Sequence, residues 1–447
     1  MKQILVLGAG LSATYLIEKL LAQSAANNWF ITVAEKNLSL AEKAVARHPN
    51  GAAIPFDINN AELRATHIKK ADIVVNMLPP VFQVMIAADC VHYGRHMISA
   101  SYQSREMNDL NMDAVRKKVL ILTEMGLDPG IDHMMAISLI EEVRERGGKI
   151  KAFKSYGGAI PAPDSLTNPL KYFITWNPRN IVMAGEHGAQ YLEKGKVKLV
   201  PLHGVFQDSW GIDVKGLGVM EVYPNRESMS YRSLFDIQYA DTIIRGTIRY
   251  PGWCETWSQI VKLGIPNENL TISVTEGMTY RDFVELFIPI EVSGSDLEQR
   301  VAYYLGINPT GTIMSNLKWL GLFSEKPLKS NCRTPAEVMI DLVKDKLVVN
   351  EGSRDMVVLI NELYAFFEDT QKKEKITQTF IEKGDAEGHT AITRTVGLPL
   401  SIGVKLILSG DLTITGCHLP THRAIYIPTL QALKKEGLVF QKKIETI

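Results

Sequence analysis

Cysteine is scarce in this chain. Cys90, Cys254, Cys332 and Cys417 are the only four in 447 residues, far apart and with no C-x-x-C spacing. That pattern argues against a zinc site or a disulfide framework and suits a reducing cytosol. Net charge is missing as well, since Lys+Arg and Asp+Glu both total 49. Overall charge therefore singles out neither nucleic acid nor a membrane surface as a partner. The longest apolar stretches read as shorter than a membrane span. The start of the chain enters an apolar strand pattern without a basic-plus-apolar leader, so a cytoplasmic protein is expected. Repeats, low-complexity runs and disordered linkers are lacking too. What remains is 46% hydrophobic and 22% charged residues over a length too great for one core. Two or three globular domains are expected.

The most informative feature present lies in the first thirty-five residues. An apolar run Ile4–Leu7 leads into Gly8-Ala9-Gly10-Leu11-Ser12-Ala13, a helical pattern follows, and a second apolar run ends at Glu35. A G-x-G-x-x-A string between strand and helix predicts the phosphate-binding turn of a dinucleotide fold. Gly8 would allow the tight turn, Gly10 the approach of the pyrophosphate, and Ala13 close helix–strand packing. The helix start, with Leu11 and Ser12, would offer free N–H groups to the phosphates. An ordinary glycine-rich turn is the competing reading. Glu35 suits the two ribose hydroxyls of NAD, whereas Lys36 beside it can attract the 2′-phosphate of NADP. The cofactor expected is thus NAD(P). Asp57, after the third strand, and Leu78-Pro79, in the exit loop of the fourth, complete the expected contacts.

Apolar runs and helical patterns alternate through the first 125 residues, which predicts an α/β fold with a Rossmann-type doubly wound parallel sheet. After Gly126 the texture changes. A helix is expected at Ile131–Arg146, a strand at Lys149–Ser155, and a Gly/Pro loop at 157–163. Short strands fill Lys196–Val222, helices dominate Ser233–Leu347, strands return at Met356–Ala365 and Ile376–Glu382, and a helix runs from about Ala391 to Leu408. The domains expected are a cofactor domain over 1–126, completed by 391–447, and an α+β substrate and dimerisation domain over 127–232 and 348–390. A helical insertion at 233–347 interrupts the second.

Several strings resemble the saccharopine dehydrogenase family. They are Glu124-Met125-Gly126-Leu127-Asp128-Pro129-Gly130-Ile131-Asp132-His133, Ser99-Ala100-Ser101-Tyr102, Pro161-Ala162-Pro163, Asn168-Pro169-Leu170, Tyr223-Pro224-Asn225-Arg226-Glu227-Ser228, Arg245-Gly246-Thr247-Ile248-Arg249-Tyr250-Pro251-Gly252-Trp253 and Thr395-Val396-Gly397-Leu398-Pro399. They occur in family order and span almost the whole chain. The L-D-P-G-I-D-H string with R-G-T-I-R-Y is specific, and the nearest branch is the glutamate-forming one. The resemblance implies a three-part architecture, a homodimer, and oxidation of a secondary amine by a nicotinamide cofactor followed by imine hydrolysis. For saccharopine the products would be L-glutamate and 2-aminoadipate 6-semialdehyde. Another carboxylated secondary amine, such as carboxynorspermidine, or an NAD(P)-binding sensor without turnover are the alternatives.

Such chemistry needs a base for the amine and water protons and cations for several carboxylates. Asp128, on a stiff turn, is the expected base or amine-orienting group; its competing role is N-cap of the following helix, which Asp132 could also fill. Tyr102, after a strand end, could bond the reacting nitrogen or its water, or simply pack. His133 reads as a structural histidine. Arg226 is the expected carboxylate clamp, with Ser101, Asn225 and Arg245 as further substrate contacts. Arg245 and Arg249 would share a face if their segment is helical, and bind substrate or pair with acidic neighbours. His418, His422 and Arg423 suit surface or dimer contacts better than a metal. Two departures from the saccharopine-forming branch stand out: Gly157 where a cysteine is usual and Phe173 where a lysine is usual.

Overall fold

β1 (Lys2–Leu7) sends Ile4 and Val6 into one buried apolar cluster and Leu5 and Leu7 into another. Two covered faces explain why this strand is continuously apolar rather than alternating. In the computed structural model, which describes residues 1–273, 276–329 and 331–447, five more strands follow it through helical connections. They are β2 (Trp29–Glu35), β3 (Gly51–Pro55), β4 (Ile73–Asn76), β5 (His96–Ser99) and β6 (Leu120–Leu122). All pair in parallel in the order β6-β5-β4-β1-β2-β3, and the late strand Gly416–His418 adds beside β6. The expected doubly wound sheet is present. Its order reverses between β1 and β4, the crevice where such sheets bind ligands.

The chain divides into two compact units, Met1–Ile150 with Leu359–Ile447, and Lys151–Val358. In the first, helix Ala391–Leu408 begins and ends where the sequence places it, capped by Thr390, whose hydroxyl accepts from Thr393 N at 3.2 Å. This helix corrects the reading of short apolar stretches: its 18 residues average a hydropathy of 1.4, enough to cross a membrane by length and composition. Here Leu398, Leu400 and Val404 are fully buried, so it serves as a core helix. It lies so close to helix Thr14–Asn27 that a Cβ on Gly397 would stand 2.8 Å from Leu16 N.

The second unit contains most of β7 (Gly148–Pro161), then β8 (Ala189–Glu193), β9 (Lys196–Val200), β10 (Trp210–Val214), β11 (Gly218–Pro224), β12 (Arg226–Glu227) and β13 (Thr242–Arg249). The order β10-β11-β13-β7 mixes antiparallel pairs with a parallel β13–β7 pair. Two expectations change here. The Gly/Pro segment 157–163 was expected as a loop, yet β7 runs on to Pro161, its last residue, where a missing N–H is tolerated. The segment 233–347 is not wholly helical, because β-branched Thr242, Ile243, Ile244, Thr247 and Ile248 favour the strand β13. Beyond it, β14 (Asp355–Phe367) leads to β15 (Lys372–Lys383), which pairs with a C-terminal strand, Phe440–Thr446, that the sequence pattern did not disclose. The first unit also takes in residues 127–150 and 359–390, which the sequence assigned to the second domain.

Candidate functional site

The glycine turn follows β1 directly. Gly8 has φ 99, a region that favours glycine, and donates its N–H to Ala34 O at 2.9 Å. Gly10 is extended, and a Cβ built on it would meet nothing within 4 Å, so its face is open. A single 3-10 turn, Leu11–Ala13, precedes helix Thr14–Asn27, a small departure from the expected direct entry. Ala13 is buried against the core, while Leu11 is exposed and Ser12 half-buried. Ala13 N donates to Gly10 O at 2.9 Å, whereas the N–H groups of Leu11 and Ser12 have no helical acceptor and form the positive dipole end that an anion site requires.

Glu35 ends β2, and each of its oxygens is held by the main chain. Oε2 accepts from Ala9 N at 2.9 Å and Oε1 from Asn37 N at 3.3 Å. Lys36 is exposed beside it, and Asp57, also exposed, accepts from Asn59 N at 3.0 Å. Leu78 N donates to Asn76 Oδ1 at 3.1 Å, and Pro79 caps the next short turn. Asn76 was not among the expected site residues. It is 1% exposed at the end of β4, beside Leu7 and Ser99, and its Nδ2 has no partner among the described residues. A polar residue closing the run Ile73-Val74-Val75 was the available signal. The open face of Gly10, the free turn donors and the orphan Nδ2 together fit a dinucleotide.

The two loops that carry Tyr102 and Asp128 are laced together. Met125 N donates to Ser99 O at 2.9 Å and Glu124 N to Ser101 O at 3.1 Å. Buried Glu124 accepts from Gln103 N at 2.9 Å through Oε1, and its Oε2 lies 3.0 Å from His133 Nδ1. The Gly126–Gly130 turn closes on itself: Gly126 N donates to Pro129 O at 3.1 Å and Ile131 N to Gly126 O at 3.0 Å. Gly130, at φ 148, touches Gly126 so closely that any Cβ would overlap its carbonyl. Asp128 is the only exposed residue between Val119 and Ile140. Its Oδ1 accepts from the Tyr102 hydroxyl at 3.2 Å. The capping reading fails, because Gly130 is the cap of helix Ile131–Glu145 and its N–H donates to Asp132 Oδ1 at 2.6 Å. His133, expected as a structural histidine, is buried between Glu124 and Asp132, 3.0 and 3.5 Å from their carboxylates, and so lies between the two loops.

Arg226, Asn225 and Arg245 belong to the second unit. Asn225 N donates to Arg245 O, and Arg245 N to Ser228 Oγ, both at 3.0 Å, so these two family strings lie side by side. Arg226 is exposed, at φ 55, and lines a cavity of about 440 Å³ with Glu186, His187, Gln190, Leu199 and Glu227. Arg245 and Arg249 sit on a strand, not a helix; alternation still puts both on one face. Arg249 is buried over the rings of Tyr172, Trp253 and Tyr223, at 5.0, 5.6 and 5.8 Å, rather than against an acidic neighbour. Burial outweighs the adjacent Arg249 charge and raises the Tyr223 phenol above its ordinary range.

The C-terminal histidines have structural roles: His422 accepts from Ala424 N at 3.2 Å as a helix cap, and His418 Nε2 lies 3.0 Å from Thr415 O. Arg423 reaches Glu141 and Glu145 at 3.4 and 3.3 Å. All four cysteines are free, and burial raises each thiol above its ordinary range.

Comparison with known proteins extends over the whole chain. Residues 4–122 match the saccharopine dehydrogenase NADP binding domain and residues 126–438 the saccharopine dehydrogenase C-terminal domain. The NADP-dependent, L-glutamate-forming saccharopine dehydrogenase of Schizosaccharomyces pombe is 30% identical over 451 residues, with 99% of each chain covered. Mitochondrial alpha-aminoadipic semialdehyde synthase of Bos taurus is 29% identical, covering 98% of this chain and 47% of that one. The solved apo saccharopine dehydrogenase (L-Glu forming) of Saccharomyces cerevisiae matches over 100% of both chains, with a TM-score of 0.90 and 26% identity.

Proposed function

The chain belongs to the saccharopine dehydrogenase family, and on that premise we propose that it interconverts saccharopine with L-glutamate and 2-aminoadipate 6-semialdehyde using NAD(P). The observation that carries this reading is the Tyr102–Asp128 pair, a lone exposed carboxylate held by a phenol on an otherwise buried turn. A bound nicotinamide would supply the hydride acceptor for the carbon beside the amine nitrogen. Asp128 takes the proton from that nitrogen, freeing the lone pair that forms the imine. It passes that proton to solvent and takes one from the water adding to the imine carbon. It returns this proton to the glutamate nitrogen as the C–N bond of the carbinolamine breaks and the hydroxyl proton leaves to give the aldehyde. Tyr102 orients the carboxylate by donating to Oδ1.

Gly8, Gly10, Leu11, Ser12 and Ala13 would hold the pyrophosphate, with Glu35, Lys36 and Asp57 toward the adenosine and Leu78, Pro79 and Asn76 toward the nicotinamide half. Arg226, with Ser101, Asn225 and Arg245, is assigned to the substrate. Its cavity also carries Glu186 and Glu227, the mixed charge that an amino acid's carboxylate and ammonium require. A cytoplasmic location, which the four free thiols suit, and a homodimer, which the family resemblance implies, belong to the same reading.

A second reading keeps the chemistry and changes the amine. Position 157 is a buried glycine and Phe173 is 2% exposed, so neither a thiol nor a cation is offered there. Saccharopine and carboxynorspermidine should be supplied in turn with each dinucleotide and turnover followed at the nicotinamide absorbance. Turnover of saccharopine supports the first reading and of carboxynorspermidine the second. Dinucleotide binding without turnover of either overturns both in favour of a sensor.

A further inference from the structure

We infer that this chain takes NAD(H) in preference to NADP(H), and that Glu35 sets the choice. The inference rests on the dinucleotide reading of the glycine turn but not on the identity of the amine. Glu35 closes β2 beside that turn, its carboxylate pinned by Ala9 N at 2.9 Å and Asn37 N at 3.3 Å. It is thereby kept at the crest of the sheet, where a Rossmann strand end meets the adenosine ribose. An ionised carboxylate has about four acceptor sites on its two oxygens. One main-chain donor on each oxygen leaves acceptor capacity for two hydroxyl donors, which the ribose of NAD possesses. A 2′-phosphate replaces one of those hydroxyls with a dianion that has no hydrogen to share.

The surrounding charge points the same way. From Glu35 to Leu40 the only basic residue is Lys36, which is exposed. Asp57, two residues beyond β3, adds a second exposed carboxylate to the same edge of the sheet, since Glu35 and Pro55 are register partners. Phe56 N donates to Glu35 O at 3.0 Å and fixes that approach. Two carboxylates against one ammonium form a poor receptor for a phosphate dianion. The Schizosaccharomyces pombe relative is named for NADP; the residues of this chain favour the other dinucleotide.

NADH and NADPH should be titrated against the full-length protein without amino-acid substrate, following nicotinamide fluorescence. The expected Kd for NADH is lower by about tenfold or more, the scale of a like-charge penalty. Glu35→Ser should weaken NADH, tighten NADPH and bring the ratio near one. Glu35→Gln, which keeps an acceptor for Ala9 N while losing the charge, should shift it the same way if the serine variant does not fold. Equal or tighter NADPH binding by the unsubstituted protein overturns the inference, and a ratio unchanged in both variants removes Glu35 from it. Binding of neither dinucleotide overturns it together with the dinucleotide reading. NADH-selective binding without saccharopine turnover supports it and removes only the substrate assignment.

Discussion

Tyr102 and Asp128 meet at 3.2 Å although 26 positions separate them. Their meeting is built into the backbone, since Met125 and Glu124 donate to Ser99 and Ser101 and so bind the Asp128 turn to the Tyr102 loop. The phenol's donation to Oδ1 holds that carboxylate in one orientation. The turn's own closure, Gly126 against Gly130, fixes the direction in which that carboxylate protrudes.

Asp128→Asn should therefore fold and bind NAD(P)H normally while losing about 10²–10⁴-fold in kcat, the usual worth of general acid–base participation. Its pH–rate profile should lose a limb. Tyr102→Phe should retain that limb and lose less, because it removes the orienting bond and leaves the base. Full activity in Asp128→Asn would transfer the proton work to another residue.

Glu124 is the brace behind that pair. Glu124→Ala leaves the half-buried Gln103 N–H without its acceptor and removes the carboxylate beside the buried His133 ring, at a cost of about 1 kcal/mol, the usual worth of one hydrogen bond. Urea unfolding should show that loss. Glu124→Gln, which keeps an acceptor for Gln103 N, should recover most of it. Equal stability of both variants with the unsubstituted protein would show that the loops hold without the brace.

How far the sequence disclosed this arrangement depended on the range of the forces involved. The parallel sheet was legible because Ile4–Leu7 and Ile73–Val75 are strands buried on both faces and carry their apolar signal locally. Helix Ala391–Leu408 was legible for the same reason, its Thr390 cap included. β13 was not, since Thr242–Arg249 depends on β7 and β11 as neighbours distant in the chain. Family resemblance pointed to Asp128 and Tyr102, but only the folded backbone shows them bonded and rules out the cap. Asn76 does not stand out in the sequence, because one asparagine at the end of an apolar run looks ordinary until its Nδ2 is found without a partner among the described residues.

Arg226 keeps a left-handed backbone, φ 55, that glycine adopts without cost and a side-chain residue does not. Arg226→Gly is accordingly the informative variant, because it removes the guanidinium while suiting the turn. It should fold at least as well as the unsubstituted protein and leave the Kd for NAD(P)H unchanged. KM for the amino-acid substrate should rise about 10- to 100-fold, as expected for loss of a charge-assisted contact. An unchanged KM would release Arg226 from the substrate site and leave its backbone conformation as a property of the β11–β12 turn.

Gly10 and Gly397 should respond to the same substitution in opposite ways. At Gly10 a Cβ meets nothing within 4 Å and φ is −68, so Gly10→Ala should leave the melting temperature unaltered. The added methyl occupies the open face assigned to the pyrophosphate, so NADH affinity should fall sharply. At Gly397 a Cβ would stand 2.8 Å from Leu16 N, a main-chain atom that cannot rotate away. Alanine in a helix interior is otherwise favoured over glycine by about 1 kcal/mol. Overpacking of a tight core contact costs about 1–3 kcal/mol and opposes that gain. Because the obstruction is backbone, the steric cost should win, and Gly397→Ala should melt earlier. Once folded it should bind NADH nearly as well as before, since Leu16 lies beyond the glycine turn. A stabilised Gly397→Ala would mean that the two helices separate at little cost, and that the glycine in Thr395-Val396-Gly397-Leu398-Pro399 is not there for close packing.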